Sequence, residues 1–337
     1  MRKYSSILLA ICLLAGILFG CGQADTAKLD PEQSQKINIV CTIFPQYDWV
    51  REILGDQADG IDLTLLLNGK TDLHNYQPTA DDIVKISNCD LFIYVGGESD
   101  AWVDDALAQA VNQDMAVVNL LEVLGDAAKE EQVLEGMEDE HEGHEEEGEA
   151  HEEEHGEAHG EYDEHIWLSL HNAQVLCKAI AEALITLAPE HAEVYQRNLS
   201  AYTAKLAALD GEYQTAVEAA PVKTLLFADR FPFRYLTDDY GIAYDAAFSG
   251  CSAETEASFD TVARLAKHLD EWNLHTVMVT ESADQSIART IVNSTKDKNQ
   301  QILVLDSMQS VAFAEAESKT YISTMESNLN VLKDALK

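Results

Sequence analysis

The sequence predicts an α/β protein of two doubly wound parallel-sheet lobes, joined by one long rigid helix, with a ligand cleft between them. Three observations carry this expectation. Apolar β-prone runs alternate with helical segments from Ile37 to Leu120, and the alternation returns from Thr224 onward, as in parallel sheets covered on both faces. Between these stretches Leu199, Tyr202, Leu206, Leu209, Tyr213 and Val217 recur at steps of three and four, the stripe of a single helix. A length of 337 residues with 46% hydrophobic content supplies two cores rather than one.

Taken in order, Ile37 to Phe44 reads as a strand, and Tyr47 to Leu54 as a short helix stopped by Gly55. Asp62 to Leu67 is a second strand. Thr79 and Asp82 have the spacing of a capping box, opening a helix through Ser87. Cys89 to Val95, closed by Gly96-Gly97, and Met115 to Leu120 complete four strands. The helix beginning at Pro189 runs roughly 28 residues, about 42 Å at about 1.5 Å per residue. Beyond it, strands at Thr224 to Asp229, Ile242 to Phe248, His275 to Glu281 and Gln301 to Asp306 alternate with helices. Those helices cover Phe233 to Tyr240, Ser258 to Trp272 and Gln285 to Thr295, and an amphipathic helix closes the chain at Ser318 to Leu336.

The N-terminus is a targeting segment. Arg2 and Lys3 precede an apolar run from Ile7 to Phe19, thirteen residues, short of the roughly 20 a membrane span needs but fitted to a secretory signal. Its ending, Leu18-Phe19-Gly20-Cys21, resembles a bacterial lipobox. The resemblance implies that Cys21 is the lipidated first residue of the mature chain. Gly22 to Lys36 then forms a polar tether. The expected domains are therefore a signal at 1–20, a tether at 21–36, an N-terminal lobe at 37–188, the long helix at 189–220 and a C-terminal lobe at 221–337.

Net charge is −38, and eighteen of the acids lie between Glu130 and Glu164, a stretch without Lys or Arg. The remainder carries −20, ordinary for an extracytoplasmic protein. A nucleic-acid partner is excluded on charge. The same stretch holds His141, His144, His151, His155 and His159. Its composition cannot pack a core, so residues 130–164 read as a disordered insertion in the N-terminal lobe. Scattered imidazoles of this kind hold cations weakly at overlapping positions, and capture by them should weaken in mild acid.

Once the signal and Cys21 are set aside, Cys41, Cys89, Cys177 and Cys251 remain. An even count outside the cytoplasm permits disulfides. Cys41 and Cys89 lie on two strands of one expected sheet, so that pair is one option; four buried free thiols are the other.

Ligands of open parallel sheets bind beyond the carboxyl ends of the strands. Polar residues there are Asp72-Leu73-His74-Asn75, Asp229-Arg230 and Glu281-Ser282, with Asp163-Glu164-His165 between insertion and long helix. Two imidazoles and two carboxylates form a ligand set for a divalent cation. His171, His191, His268 and His275 lack partner spacing and read as scaffold.

In these motifs the chain resembles the zinc- and manganese-type solute-binding lipoproteins of bacterial ABC importers, in their zinc-uptake branch. Leu73-His74-Asn75-Tyr76-Gln77-Pro78 resembles that family's Pro-His-Asp-Tyr-Glu-Pro motif, and Glu164-His165-Ile166-Trp167-Leu168 its Pro-His-Val-Trp-Leu motif. The acidic His-rich insertion before the second motif is a feature of the zinc-specific members. The resemblance implies that His74 and His165 are metal ligands and that Glu281 is a further one, with Asp284 as the alternative. The family's third histidine is missing: Ala228-Asp229-Arg230-Phe231 stands in its place. Asp229 is one replacement and a histidine of the insertion is another. Cys251 and Glu254 fall in a loop resembling the family's Gly-Leu-Ser-Pro segment and read as structural.

The implied function is a monomeric, lipid-anchored receptor that passes Zn²⁺ to a permease and its ATPase, with Mn²⁺ as the alternative cargo. Two readings from other classes compete. A zinc buffer or adhesin would need no transporter. A secreted metallohydrolase would use the same ligands, but the chain has no His-Glu-x-x-His helix, so capture rather than catalysis is expected.

Overall fold

Ile37–Cys41 forms the first strand, β1, and the chain turns straight from it into helix α1, Phe44–Leu54. This is three residues earlier than the sequence pattern indicates. The Gln46 side-chain oxygen accepts from the backbone N–H groups of Thr42 and Ile43 at 2.9 and 3.3 Å, satisfying donors that a helix start leaves free. Gly55 stops the helix at φ +55°, where a β-carbon would also meet Asn198 Nδ2 at 2.7 Å. The computed structural model describes residues 36–67, 71–134, 137, 162–252 and 256–337. The signal, Cys21 with the rest of the tether up to residue 35, and His141, His144, His151, His155 and His159 lie outside the described residues.

The first sheet continues with β2 Ile61–Leu65, α2 Ala80–Asn88, β3 Leu91–Tyr94, α3 Val103–Ala108, β4 Ala116–Asn119 and α4 Leu120–Leu124. Thr79 and Asp82 cap α2 reciprocally. The second sheet comprises β5 Thr224–Arg230, β6 Ala243–Phe248, β7 Thr276–Thr280 and β8 Gln301–Leu305. Its helices are α7 Arg234–Tyr240, α8 Phe259–Glu271 and α9 Ser286–Ser294; α10 Phe313–Ala316 and α11 Tyr321–Ala335 end the chain, numbering that counts α5 and α6, described next. Both sheets are parallel with matching orders, β2-β1-β3-β4 and β6-β5-β7-β8. Each therefore has a topological switch point between its two central strands, where ligand crevices open. The expected strands and the doubly wound architecture are all present.

The long helix, α6, spans Ala192–Ala219, 28 residues, entered through a tight turn at Pro189–His191. Tyr202, Leu206, Leu209, Tyr213 and Val217 of the expected stripe are buried, joined by Tyr195. A second long helix, α5, Leu170–Leu187, precedes it and has no counterpart in the sequence reading. Leu170, Ala173, Leu176, Cys177, Ile180, Ala181 and Leu184 are its buried side, His171, Lys178, Glu182 and Thr186 its exposed one, and α1, α4 and α6 all contact it. Helix α11 packs on α1 and α6 as well as on β8, and the Tyr213 hydroxyl donates to the Met325 carbonyl at 2.6 Å.

Two expectations change here. Cys41 and Cys89 are free thiols, as are Cys177 and Cys251. The reason is register: the Asp90 backbone N–H bonds Asn38, so Cys89 sits near the start of β1 and Cys41 at its end. Three residues of strand at about 3.3 Å each exceed the roughly 7 Å between Cα atoms that a disulfide allows. Cys89 Sγ instead contacts Met115 Sδ at 3.2 Å. The margins of the acidic segment are also ordered. Glu130 pairs antiparallel with Tyr162, Asp163 N–H donates to Lys129 O at 2.8 Å, and Asp163 and Glu164 are each 2% exposed.

Candidate metal centre

His74 lies in the tight turn Leu73–Asn75 after β2, and the Asp72 carboxylate accepts its backbone N–H at 3.0 Å. Its Nδ1 is 2.8 Å from Ser99 Oγ and 3.5 Å from Glu164 Oε2. A proton on Nδ1, donated to that hydroxyl, leaves Nε2 bare to face the Gln309 amide nitrogen. Burial, then the neighbouring His165, push His74 down to a pKa of about 3, so its imidazole is neutral at physiological pH.

His165 heads the turn Ile166–Leu168 and is wholly buried. Asp163 Oδ1 accepts both its backbone N–H and its Nδ1–H, each at 2.9 Å. A carboxylate behind the ring fixes the tautomer and raises the basicity of the other nitrogen. Trp167 anchors the turn from below: its indole N–H donates to Ser307 O at 2.8 Å, and the Tyr321 hydroxyl donates to Trp167 O at 2.6 Å. The first histidine thus belongs to the first sheet, and the second is strapped to the segment after β8.

The two bare nitrogens, His74 Nε2 and His165 Nε2, face each other at 3.1 Å. Two ligands about 2.0–2.1 Å from a tetrahedral zinc stand about 3.3 Å apart, so the pair fits one cation. Among the described residues the metal-ligating group of three comprises His74, His165 and Cys251, with ligand atoms mutually within 4.8 Å. Gln309, 4% exposed, brings its Nε2 to 3.2 Å from His74 Nε2 and into still closer contact with His165 Nε2.

Asp229 and Glu281 stand outside that group. The Asp229 carboxylate accepts the Thr280 N–H at 3.0 Å and contacts the Thr280 hydroxyl. Glu281 accepts the backbone N–H and hydroxyl of Ser307 at 2.7 and 2.9 Å; burial, then Asp306, raises its pKa. Asp284 borders the neighbouring cleft of about 280 Å³ with Asn75, Asp229 and Ser282. Arg230 pairs with Asp72 at 2.5 Å. Burial alone would raise the Asp72 pKa, and the guanidinium instead holds it below the usual carboxylate range.

The sequence matches the family described as zinc-uptake complex component A, periplasmic, over residues 39–335. This chain belongs to that family. The high-affinity zinc uptake system protein ZnuA of Bacillus subtilis is 31% identical over 337 residues, covering 99% of this chain and 98% of the relative. The zinc-binding lipoprotein AdcA of Streptococcus pneumoniae is 30% identical over 99% of this chain, which spans 61% of AdcA's length. The fold superposes on the Zn(II)-bound ZnuA-like domain of that AdcA with TM-score 0.68 at 27% identity, over 89% of this chain and 99% of that domain. The periplasmic zinc-binding protein TroA of Treponema pallidum, 21% identical, shares the fold with TM-score 0.69, over 89% of this chain and 99% of TroA.

Three contributors to the site were not singled out from sequence as site residues: Ser99, Gln309 and the sulfur of Cys251. Asp163 and Glu164 were named beside His165 but also counted with the acidic insertion; both are buried behind the two rings. Ser99 and Gln309 follow β3 and β8, and the strand-end rule applied to every strand would have put them among the candidates. Glu164, its Oε1 accepting the Ser99 N–H at 2.8 Å, is pushed up to a pKa of about 7, chiefly by burial.

Proposed function

We propose that this protein is the extracytoplasmic receptor that captures Zn²⁺ and delivers it to the permease of an ABC importer, whose ATPase drives uptake. The observation that carries the reading is the pair of facing bare imidazole nitrogens. Each is held in that tautomer by an oxygen at its Nδ1, and the two are spaced for one tetrahedral ion. Cys21 anchors the chain to the outer face of the cell membrane. Residues 37–188 and 221–337 form the lobes on either side of the site, and the chain works as a monomer.

The mechanism is capture without catalysis. His74, neutral at physiological pH, and His165 replace waters of the hydrated ion, and burial keeps competing water away. Glu281 and Asp229 support the site from behind: Glu281 holds Ser307, and Asp229 binds the end of β7. The long helix and α11, which packs on α1 as well as on β8, limit release to small lobe or loop movements. Histidines 141, 144, 151, 155 and 159 collect zinc and pass it to the site.

The test is competition titration with a zinc chelator on the purified protein, on His74→Ala, on His165→Ala, and on a chain lacking residues 138–160. One tight zinc in the wild type and in the shortened chain, with affinity reduced at least ~100-fold in each histidine variant, is the expected result. Unchanged affinity in both histidine variants would remove the site. Loss of tight binding with the acidic segment would move a ligand into it.

A further inference from the structure

We infer that Cys251 is a metal ligand, supplying as thiolate the donor that the family resemblance expects from a third imidazole and that is missing at Asp229-Arg230. The inference deepens the zinc-receptor reading and rests on it. Sequence alone placed Cys251 in a structural loop. The structure brings its sulfur into one cluster with the two imidazoles, all ligand atoms within 4.8 Å of one another.

The approach is built into the loop. A β-carbon on Gly250 would meet Phe231 O at 2.8 Å and the His165 ring at 3.2 and 3.3 Å, so the backbone beside Cys251 lies flat against the ligand ring. The Cys251 N–H donates to Glu131 Oε1 at 2.9 Å. Arg230 reaches the Ser252 carbonyl at 3.4 Å while pairing with Asp72 on the His74 turn. Arg230, standing where the third histidine was expected, therefore ties the cysteine loop to the first ligand. Burial, then the Asp163, Glu131 and Glu164 carboxylates, pushes the thiol well up, and the Glu164 backbone N–H at the sulfur works the other way. Cys41, Cys89 and Cys177, by contrast, are core residues with no exposure.

On binding, the S–H bond breaks, a sulfur–zinc bond forms, and one proton leaves to solvent. Two imidazoles and a thiolate make three protein ligands; the fourth position falls to the Gln309 amide oxygen or to water. Thiolate is a soft donor that favours zinc over manganese, so this one residue also sets the cargo.

The experiment titrates Zn²⁺, Mn²⁺ and Co²⁺ into the purified wild type, Cys251→Ser, Cys251→Ala and His165→Ala, with thermal unfolding as a folding control. Wild-type protein with Co²⁺ should show an intense near-ultraviolet sulfur-to-cobalt charge-transfer band that both cysteine variants lack. Their zinc affinity should fall at least ~100-fold, more than removal of an outer-shell partner costs, with a much smaller change for manganese. A wild-type cobalt complex without that band, or cysteine variants that bind zinc as tightly as wild type while His165→Ala does not, overturns the cysteine assignment alone. No tight zinc in the wild type overturns the receptor reading and this inference together. Should the variants fold poorly, X-ray absorption of the zinc-loaded wild type decides: a sulfur at about 2.3 Å is required.

Discussion

Arg230 Nη2 lies 2.5 Å from Asp72 Oδ2, and the same guanidinium reaches the Ser252 carbonyl at 3.4 Å. Asp72 in turn accepts the His74 N–H. One cation thus links the end of β5, the His74 turn after β2 and the Cys251 loop after β6. A guanidinium suits this task because its planar fork serves a carboxylate and a carbonyl at once.

Arg230→Met should therefore leave Asp72, 8% exposed, charged and unpaired. Breaking such a pair from one side costs about 3 kcal/mol or more. Zinc affinity should fall along with the melting temperature. The double variant Asp72→Asn/Arg230→Met should lose less than the sum of the single losses. Strict additivity in denaturant titrations would show that the pair is not coupled.

Gly250→Ala probes the same loop without touching a charge. The new methyl would press on Phe231 O and the His165 ring, and relief requires the Cys251 loop to lift. Overpacking of this kind costs about 1–3 kcal/mol. Zinc affinity should drop roughly tenfold, about 1.4 kcal/mol, while Gly211→Ala, with open space around it, should leave affinity unchanged. Equal zinc affinity in Gly250→Ala and wild type would argue against a tight loop seat.

Much of this architecture could be read before any coordinates. Strands such as Leu91–Tyr94, buried at every position, must be continuous apolar runs, because helices cover both faces of a parallel sheet. His74 is findable because strand ends of such sheets face ligands, and His165 because its motif carries a family resemblance. Helix α5 was as legible as α6, since Leu170, Ala173, Leu176, Ile180 and Leu184 recur at steps of three and four, and it was passed over. The Gln309–His165 contact bridges 144 residues and the Cys251 sulfur reaches the imidazoles only through folding; no spacing rule encodes either. The insertion's margin was misjudged because Asp163 and Glu164 share its composition; their place beside His165 was legible, but only the fold shows their carboxylates at the Nδ1 sides of the two rings.

Asp48 makes stability depend on pH. It is 1% exposed, and burial pushes its pKa up to about 6, against the lowering effects of the Tyr321 N–H at 2.7 Å and of Arg51 at 3.8 Å. The folded-state value is raised, so the contribution is fully present below about pH 4 and is lost as pH rises through about 6. A rise of this size corresponds to ~3 kcal/mol at neutral pH. Asp48→Asn keeps an acceptor for Tyr321 without the charge. Relative to wild type it should gain about that amount between pH 4 and pH 7 in urea unfolding of the metal-free protein. Parallel profiles for the two proteins would mean that Asp48 carries no such cost.

Gln309 tunes affinity from the opposite side. Its amide nitrogen stands against both bare imidazole nitrogens, satisfying in the metal-free protein two lone pairs that would otherwise be buried without a donor. A bound cation must displace that N–H, and only a turn of the amide can offer oxygen in its place. Gln309→Glu removes the donor and presents oxygen in either orientation. The metal-free variant should melt lower, by about 1–3 kcal/mol of stability. Its zinc affinity should rise about tenfold or more, since an anionic oxygen now faces the ion, and manganese should gain as well because it prefers oxygen donors. Calorimetric titration of wild type and variant at one pH decides the matter. Weaker zinc binding by Gln309→Glu would mean that the amide holds the two rings in place and contributes nothing as a ligand.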